Sequence, residues 1–342
     1  MNKIKVLVVD DSRLFREIIS QSLNTSPDIQ VVAVAGDPFQ ARDLILRFEP
    51  DVMTLDVEMP RMNGIEFLRR LMPQYPVPTV MVSALNATVF DAMNAGAVDF
   101  VNKPSQSRPD DILRWVRSEL IPKIRVAAAA QVGQSKRRTA GGVVSGSGEF
   151  HEKILAIGAS TGGTEAISDV VTNFHKDIPG TVIVQHMPPK FTEMYAERLD
   201  KECEVEVREA RDGDLVEKGK ILIAPGDKQM RLMRTGDTYR VEVRPGAKVS
   251  GHCPSVDVLF ESVARAAGRN AVGVILTGMG ADGAMGLLSM RNAGARTFGQ
   301  NEATCVVYGM PKVAYDIGAV EKQVPLEYVA STVYNVLNAM SR

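Results

Sequence analysis

The sequence has few cysteines. Its three cysteines, Cys203, Cys253 and Cys305, lie far apart and form no Cys-x-x-Cys pair. This spacing indicates neither a disulfide framework nor a zinc site, and it predicts reduced thiols in a cytoplasmic protein.

Long apolar runs and an excess of charge are also absent. No run reaches the roughly 18 residues that a membrane span needs, so membrane insertion is not expected. The N-terminus MNKIKVLVVDD places acids directly after a short apolar segment, which is not the pattern of a signal peptide. A formal net charge of −1 argues against nucleic acid as the main partner.

The chain is long enough for two domains, and its 342 residues divide into three parts. In residues 1–121, short apolar runs such as IKVLVV, DVMTLD and TVMVSA alternate with helix-like segments. Residues 122–151 are rich in Ala, Gly and Ser, with a basic triplet at 136–138, and are typical of a flexible linker. In residues 152–342, runs such as KILAIGA, GTVIVQH, YRVEV and AVGVILTG again alternate with helical segments. Both domains are therefore predicted to be α/β, with doubly wound, mainly parallel sheets.

Carboxylates follow two of the predicted strands in the first domain. Asp10 and Asp11 end the first strand, and Asp56 ends the third. The carboxyl ends of neighbouring parallel strands meet at one edge, where three carboxylates repel one another unless a cation lies among them. Oxygen ligands favour a hard ion, so the sequence predicts a Mg²⁺ site.

Ser83 at the end of the fourth strand and Lys103 after the fifth add a hydroxyl and a positive charge to the same edge. This set is suited to the transfer of a phosphoryl group onto Asp56, with Lys103 neutralising oxygen charge and Ser83 binding the product. A single Asp after a strand is often only a turn former or a helix cap, and it is the coincidence of all five residues that favours the site.

These residues resemble the receiver domain of bacterial response regulators over about residues 3–120. The resemblance is carried by Asp10-Asp11, by Asp56 in TLDVEMPRMNG, and by Ser83-Ala84 and Lys103-Pro104. It implies a flavodoxin-like sheet of order 2-1-3-4-5 and phosphorylation of Asp56 by a partner histidine kinase. It also implies Mg²⁺ held by Asp11 and Asp56, with Asp10 supporting, and a switch pair of Ser83 and Phe100. For Phe100, packing in the core is an equal alternative.

A glycine-rich loop, LAIGASTGGTEA at residues 155–166, opens the second domain. Gly158 and Gly163 have the spacing of a phosphate-binding P-loop, but Thr164-Glu165 stands where that motif needs Lys and then Ser or Thr. Ser160 also occupies the second glycine position of the dinucleotide-binding pattern. Nucleotide binding is therefore disfavoured.

The same loop matches the pattern G-x-S-x-G, in which small residues allow a sharp turn from strand to helix that exposes a serine. The motif alone is weak, because a serine that caps a helix after a glycine turn is common. A serine nucleophile also needs a base. His186 follows the apolar strand TVIVQ, and Asp282 lies in TGMGADG after the strand AVGVIL.

Ser160, His186 and Asp282 therefore all emerge from the carboxyl ends of predicted strands, which predicts a catalytic triad. Their roles would be nucleophile, general base and orienting carboxylate. Backbone N–H groups near Thr161 and Met279 are candidates for the oxyanion hole. A packed core histidine at 186 and a turn aspartate at 282 are the alternatives. His252 in SGHCPSVD either contacts substrate or is merely exposed.

The second domain resembles the catalytic domain of the chemotaxis methylesterases, the CheB family. The resemblance spans about residues 152–340 and is carried by IGASTGG, QHMPP, PSVDVLFESV, ILTGMGADGAMG and GMPKVA. It implies hydrolysis of glutamate γ-methyl esters on methyl-accepting chemotaxis receptors, often with deamidation of receptor glutamines, and no cofactor for the ester chemistry. Cys253 stands where arginine is expected more often, which puts the substrate contacts of that loop in doubt.

The sequence is therefore interpreted as a serine hydrolase regulated by phosphorylation, in which the unphosphorylated receiver hinders receptor access. The rival of another class is a response regulator without catalytic activity, whose second half binds a protein or a nucleotide.

Overall fold

Two compact units make up the chain, Met1–Lys136 and Arg137–Arg342. The computed structural model describes residues 3–83, 88–104, 108–133, 150 and 152–341. No helix within these described ranges is both long and apolar enough to cross a bilayer.

Strands and helices alternate along the first unit as far as Asn102, as its sequence predicts, and helical segments follow one another from Pro109 to Ala128. Its elements are β1 (Ile4–Val9), α1 (Arg13–Asn24), β2 (Ile29–Ala35), α2 (Pro38–Phe48), β3 (Val52–Asp56), α3 (Gly64–Leu71), β4 (Thr79–Ser83), α4 (Thr88–Asn94), β5 (Asp99–Asn102), α5 (Pro109–Trp115) and α6 (Ile121–Ala128).

The five strands of the first unit pair in the order β2-β1-β3-β4-β5, and every pair is parallel. All residues of β3 and β4 are buried, as expected for a parallel sheet that is covered on both faces. The predicted order 2-1-3-4-5 is confirmed. Because the chain leaves β1 towards β2 on one side and returns at β3 on the other, the strand order reverses between β1 and β3, where a ligand site is expected.

The end of the first unit corrects one expectation. Residues 122–128, predicted to belong to a flexible linker, lie in helix α6. Ile121, Ile124 and Ala127 are buried at a spacing of three residues, an apolar stripe that the many neighbouring alanines obscure in the composition. The stretch from 134 to 149, with the basic triplet, lies outside the described residues.

The second unit is also α/β. Its elements are β6 (Ile154–Ala159), α7 (Gly163–Val171), β7 (Gly180–Gln185), α8 (Phe191–Glu202), β8 (Glu206–Glu209), β9 (Lys220–Ile223), β10 (Lys228–Thr235), β11 (Thr238–Pro245), α9 (Val256–Ala266), β12 (Ala271–Ile275), α10 (Ala284–Asn292), β13 (Arg296–Gln300), α11 (Met310–Asp316), β14 (Lys322–Val324) and α12 (Val329–Met340).

Seven of these strands form a parallel sheet of order β14-β13-β12-β6-β7-β9-β8. The run YRVEV does form a strand, but it lies in β11 and pairs antiparallel with β10 in a separate hairpin. Strands β6 and β7 are buried along their whole length. The chain leaves β6 towards β7 on one side and returns at β12 on the other, so β6 lies at the reversal of strand order.

Candidate functional site

In the first unit, the predicted carboxylate cluster is assembled at the ends of β1 and β3. One ligand oxygen from each of Asp10, Asp11 and Asp56 lies within 4.8 Å of the others. Asp10 and Asp56 are buried, whereas Asp11 is exposed. The Lys103 Nζ lies 2.8 Å from Asp10 Oδ2 and also forms an ion pair with Asp56.

Burial controls the electrostatics of this cluster. It raises the pKa of Asp56 to about 6, against the hydrogen bond from Lys103 and with added repulsion from Asp10. Burial disfavours the charge of Lys103 too, but its hydrogen bonds to the two carboxylates outweigh this and raise the pKa of the amine. The cluster therefore has three carboxyl groups and one amine, and two of the carboxyl groups are shielded from solvent.

That excess of carboxylate oxygens fits a small hard cation. Asp10, Asp11 and Asp56 would hold Mg²⁺, since oxygen ligands on one exposed and two buried carboxylates leave room for water ligands. A cavity of about 490 Å³ opens beside them and is lined in part by Asp11, Glu58 and Thr88. Of the three carboxylates, Asp11 lines this cavity.

The remaining residues predicted for this unit lie on neighbouring strands. Ser83 is the last residue of β4 and is 2% exposed, and its carbonyl accepts a hydrogen bond from the Lys103 N–H at 2.8 Å. Phe100 lies in β5, opposite Met81 of β4, and is 8% exposed. Ser83 thus lies at the end of the strand next to β3, whereas Phe100 lies one strand further away and two residues back from that edge. The packing of Phe100 fits the core and the switch alternatives alike.

In the second unit, Ser160 occupies the turn between β6 and α7. Its N–H donates to the Thr277 carbonyl at 3.0 Å, and its carbonyl accepts from the Gly163 N–H at 2.7 Å. The left-handed backbone of this turn is at Gly162, with φ of 75°, and Ser160 itself is not left-handed. A glycine two residues after the serine therefore makes the sharp turn that the G-x-S-x-G pattern predicts.

His186 and Asp282 meet at the ends of the two strands that flank β6. His186 Nε2 lies 2.7 Å from Asp282 Oδ2 in a hydrogen bond between side chains that are 8% and 1% exposed. A backbone hydrogen bond also connects the His186 segment to the Ser160 segment, because the His186 N–H donates to the carbonyl of Ala159, the residue before Ser160. The fold therefore brings all three predicted residues to adjacent strand ends.

Asp282 also sits against the N-terminus of α9. Oδ1 accepts from the Ser255 hydroxyl at 2.7 Å and from the Asp257 N–H at 3.1 Å, and Oδ2 accepts from the Val256 N–H at 2.7 Å. Burial acts to raise the pKa of Asp282, but the hydrogen bonds from His186, Ser255 and Val256 outweigh it and lower the pKa. The helix end thus holds a buried carboxylate in its charged form.

Two glycines allow α9 to approach this closely. A Cβ on Gly158 would lie 2.2 Å from Val256 Cγ1, and a Cβ on Gly283 would lie 2.5 Å from the same atom. Gly158, the first glycine of the serine motif, therefore makes room for the first residue of α9. The spacing G-x-S-x-G reflects helix packing as well as the turn.

His186 Nδ1 is buried, and no described residue forms a hydrogen bond with it. With Nε2 bound to Asp282, Nδ1 is the ring nitrogen that remains open to a further hydrogen bond. Of the two side-chain hydrogen bonds expected of the predicted triad, the structure forms the one between His186 and Asp282 and not one from Ser160 to Nδ1.

The two residues predicted for the oxyanion hole flank the serine turn. Thr161 follows Ser160 and is 8% exposed, and its carbonyl accepts from the Thr277 hydroxyl at 3.0 Å. Met279 is 44% exposed. It follows Gly278, where a Cβ would lie 2.8 Å from the Ser160 Cβ. That close approach brings the Met279 loop against the serine.

Comparison with known proteins decides the family. The family model described as CheB methylesterase matches residues 155–333, and the one described as response regulator receiver domain matches residues 6–116. The chain belongs to the CheB methylesterase family. It is therefore an enzyme with a receiver domain, and the rival of a response regulator without catalytic activity is excluded.

Similar proteins support this membership over the full length. A protein-glutamate methylesterase/protein-glutamine glutaminase 2 from Syntrophomonas wolfei is 59% identical over 99% of this chain and 99% of its own. A protein-glutamate methylesterase/protein-glutamine glutaminase from Salmonella typhi is 50% identical over 99% of this chain and 98% of its own. The crystal structure of the Thermotoga maritima CheB methylesterase catalytic domain has 34% identity and a TM-score of 0.53, and it covers 56% of this chain and 100% of its own.

The sequence did not predict that His252 is a neighbour of His186 in this methylesterase fold. The rings of His186 and His252 are parallel, with 3.7 Å between centroids and 8° between planes. His252 lies in a tight loop whose backbone pairs with Val249. The two alternatives stated for His252, substrate contact and exposure, did not include a ring stack. Two loops about sixty residues apart in sequence carry no local pattern that would predict their contact.

Cys253, the departure from the family pattern, follows His252 directly. It is partly buried, and its thiol lies 3.7 Å from the Gly246 carbonyl. The thiol thus faces the end of the β10–β11 hairpin, where an arginine side chain would reach further.

Proposed function

We propose that this chain hydrolyses glutamate γ-methyl esters on methyl-accepting chemotaxis receptors, with Ser160, His186 and Asp282 as its catalytic triad. The observation that carries the proposal is the buried His186–Asp282 hydrogen bond at the strand ends that flank the Ser160 turn. The names of the full-length relatives, which specify protein glutamate and glutamine, support the choice of substrate.

Acylation begins when the Ser160 Oγ attacks the ester carbonyl carbon. His186 Nδ1 takes the hydroxyl proton, because Nε2–H is held by Asp282 and Nδ1 carries the lone pair. The resulting imidazolium is stabilised by the Asp282 carboxylate. It then protonates the departing methoxide, so that methanol leaves and a glutamyl ester of Ser160 remains.

Deacylation repeats these steps with water. His186 Nδ1 removes a proton from water, the hydroxide adds to the acyl carbon, and Ser160 leaves with the proton returned to it. A glutamine side chain gives the same acyl-enzyme with ammonia as the leaving group, so one site supports deamidation too. None of these steps needs a cofactor.

Backbone N–H groups at Thr161 and Met279 are proposed to stabilise the oxyanion. Both flank Ser160, Thr161 along the chain and Met279 through the close approach of Gly278. A single donor of this kind contributes on the order of 3–4 kcal/mol to transition-state stabilisation in serine hydrolases.

Phosphorylation of Asp56 is proposed to activate the enzyme. A chemotaxis histidine kinase would donate the phosphoryl group, and Mg²⁺ held by Asp10, Asp11 and Asp56 would neutralise charge on its oxygens. Lys103 already pairs with two of these carboxylates and would turn to the phosphoryl group. Ser83 and Phe100, on adjacent strands, are the proposed switch residues through which the added charge acts.

The proposed division is a receiver domain in residues 1–121, a linker in 122–151 and a catalytic domain in 152–342. The family matches to 6–116 and 155–333 support this order, although helix α6 carries the receiver unit beyond residue 121. The three cysteines are free thiols, which agrees with the cytoplasmic location proposed for the enzyme.

A serine-reactive fluorophosphonate tests the nucleophile directly. We expect intact-mass measurement and peptide mapping to place one adduct on Ser160. The rate of methanol release should fall in proportion to the fraction of enzyme labelled. Ser168, a buried serine within the helix that follows the Ser160 turn, is the control and should stay unlabelled. An adduct elsewhere, or full activity of the labelled enzyme, would contradict the proposal.

A further inference from the structure

The carboxamide of Gln185 lies between the backbones of the two proposed reacting residues. Its Nε2 donates to the Ser160 carbonyl at 2.9 Å and to the His186 carbonyl at 3.3 Å. Gln185 is the last residue of β7 and is 3% exposed. One buried NH₂ group therefore holds both segments.

The orientation of this carboxamide is costly for stability. Because both neighbouring groups are carbonyls, the side-chain amide must point its NH₂ group towards them. Its other end, Oε1, is then buried without a hydrogen-bond partner among the described residues. A buried acceptor without a partner costs about 1–3 kcal/mol. Packing alone would favour an apolar side chain of the same shape, so the amide points to a role other than stability.

Gly163 is matched to this carboxamide. A Cβ at that position would lie 2.1 Å from Gln185 Oε1. The Gly163 N–H in turn donates to the Ser160 carbonyl, the same oxygen that accepts from Gln185. Gly163 thus makes room for the Gln185 side chain, which in turn forms a hydrogen bond with the serine loop.

The serine turn is consequently held from two strands. Its N–H is fixed by the Thr277 carbonyl after β12, and its carbonyl is fixed by Gln185 at the end of β7. These are the strands that lead to Asp282 and His186. A displacement of about 1 Å between reacting groups costs on the order of 100-fold in rate, so such ties bear directly on acyl transfer.

We propose that Gln185 is a positioning residue that sets the Ser160 turn relative to the His186 segment for acyl transfer. The proposal rests on the triad proposed above. It predicts an effect on the chemical step, because no atom of Gln185 is required to touch the substrate.

The test uses the full-length enzyme carrying Gln185→Met, which removes the donor, or Gln185→Glu, which sets a carboxylate against two carbonyls. Folded active sites are counted by fluorophosphonate labelling, and kcat per labelled site and KM are measured on a glutamate γ-methyl ester peptide. We expect kcat per site to fall about 10–100-fold and KM to change less than about twofold. The rate of Ser160 phosphonylation should fall with kcat.

Thr181→Val is the matched control. Thr181 lies at the other end of β7, is fully buried, and also donates to a backbone carbonyl, that of Pro179. It should keep kcat per site whatever its effect on stability.

Wild-type kcat per labelled site in both Gln185 variants would overturn this inference alone, because the residue would then be merely structural. A rise in KM with kcat unchanged would overturn it as well. Full activity of Ser160→Ala would overturn the proposed triad and this inference together.

Discussion

Two buried carboxylates, Asp257 and Asp282, lie side by side at the start of α9. Asp282 collects donors from His186, Ser255 and two backbone N–H groups. Asp257 accepts from the Gly286 N–H at 2.8 Å and from the Ser250 hydroxyl at 3.3 Å. Burial raises the pKa of Asp257, and the charge of Asp282 adds to this against the hydrogen bond from Gly286. The member of the pair with more hydrogen-bond donors, Asp282, is thus the proposed catalytic one.

Asp257→Asn should stabilise the enzyme at neutral pH. The folded state binds the Asp257 proton more tightly than the unfolded chain does, so the carboxylate lowers stability as pH rises above its ordinary pKa of about 3.9. We expect Tm to rise by about 2–4 °C at pH 7 and to match the wild type near pH 4, as measured by calorimetry. The exposed Asp237 supplies the control, and an equal gain for Asp237→Asn at pH 7 would contradict the account.

The sequence predicted a shared position only for residues with distinctive chemistry that follow predicted strands. Ser160, His186 and Asp282 each follow an apolar run, and parallel strands bring their carboxyl ends to one edge. Gln185 and His252 had no such signal. Their contacts depend on side-chain directions and on a loop that folds back, which neither periodicity nor spacing encodes.

At the scale of elements, helix α9 is the part of the fold on which the proposed triad depends. Its N-cap residue, Ser255, accepts from the Val258 N–H and donates its own proton to Asp282. The sequence predicted strands that alternate with helical segments, but the clearance at Gly158 and Gly283 that allows α9 to pack on the sheet became visible only in three dimensions. Sequence periodicity predicts that a helix forms, while its docking depends on contacts remote along the chain.

Ser255→Ala should therefore affect stability and rate together. Loss of the cap costs about 1 kcal/mol, and loss of the hydrogen bond to a charged carboxylate should lower kcat about tenfold. Thermal unfolding and methanol release measure the two effects. Ser255→Thr keeps the hydroxyl and should keep most of the rate, and an equal loss of kcat in both variants would show that the hydroxyl is not what matters.

For the whole molecule, the two proposed chemistries belong to two α/β units, each at the carboxyl ends of its parallel strands. In each unit the proposed site lies where strand order reverses, beside β1 and β3 in one and around β6 in the other. The alternation of strands and helices predicted sites at the carboxyl ends of parallel strands, and the resemblance implied the strand order of the first sheet. The strand order of the second sheet became visible only in the structure. The helical start of the predicted linker was not predicted either, because alanine-rich composition hides the buried stripe of α6.

The regulatory proposal predicts a response that depends on Asp56. A small acyl phosphate with Mg²⁺ should raise methanol release several-fold in the wild type and leave Asp56→Asn at its basal rate. Asp51→Asn is the matched control, since Asp51 is exposed just before the start of the same strand and should respond like the wild type. Activation of Asp56→Asn to the same extent would contradict the assignment of the phosphoryl acceptor.

The most direct test of the central claim is methanol release from a methylated receptor fragment by the wild type and by Ser160→Ala at equal concentration. We expect steady release by the wild type and a fall on the order of 10³-fold or more in the variant, with thermal unfolding unchanged. Release by Ser160→Ala at the wild-type rate would show that Ser160 is not the nucleophile.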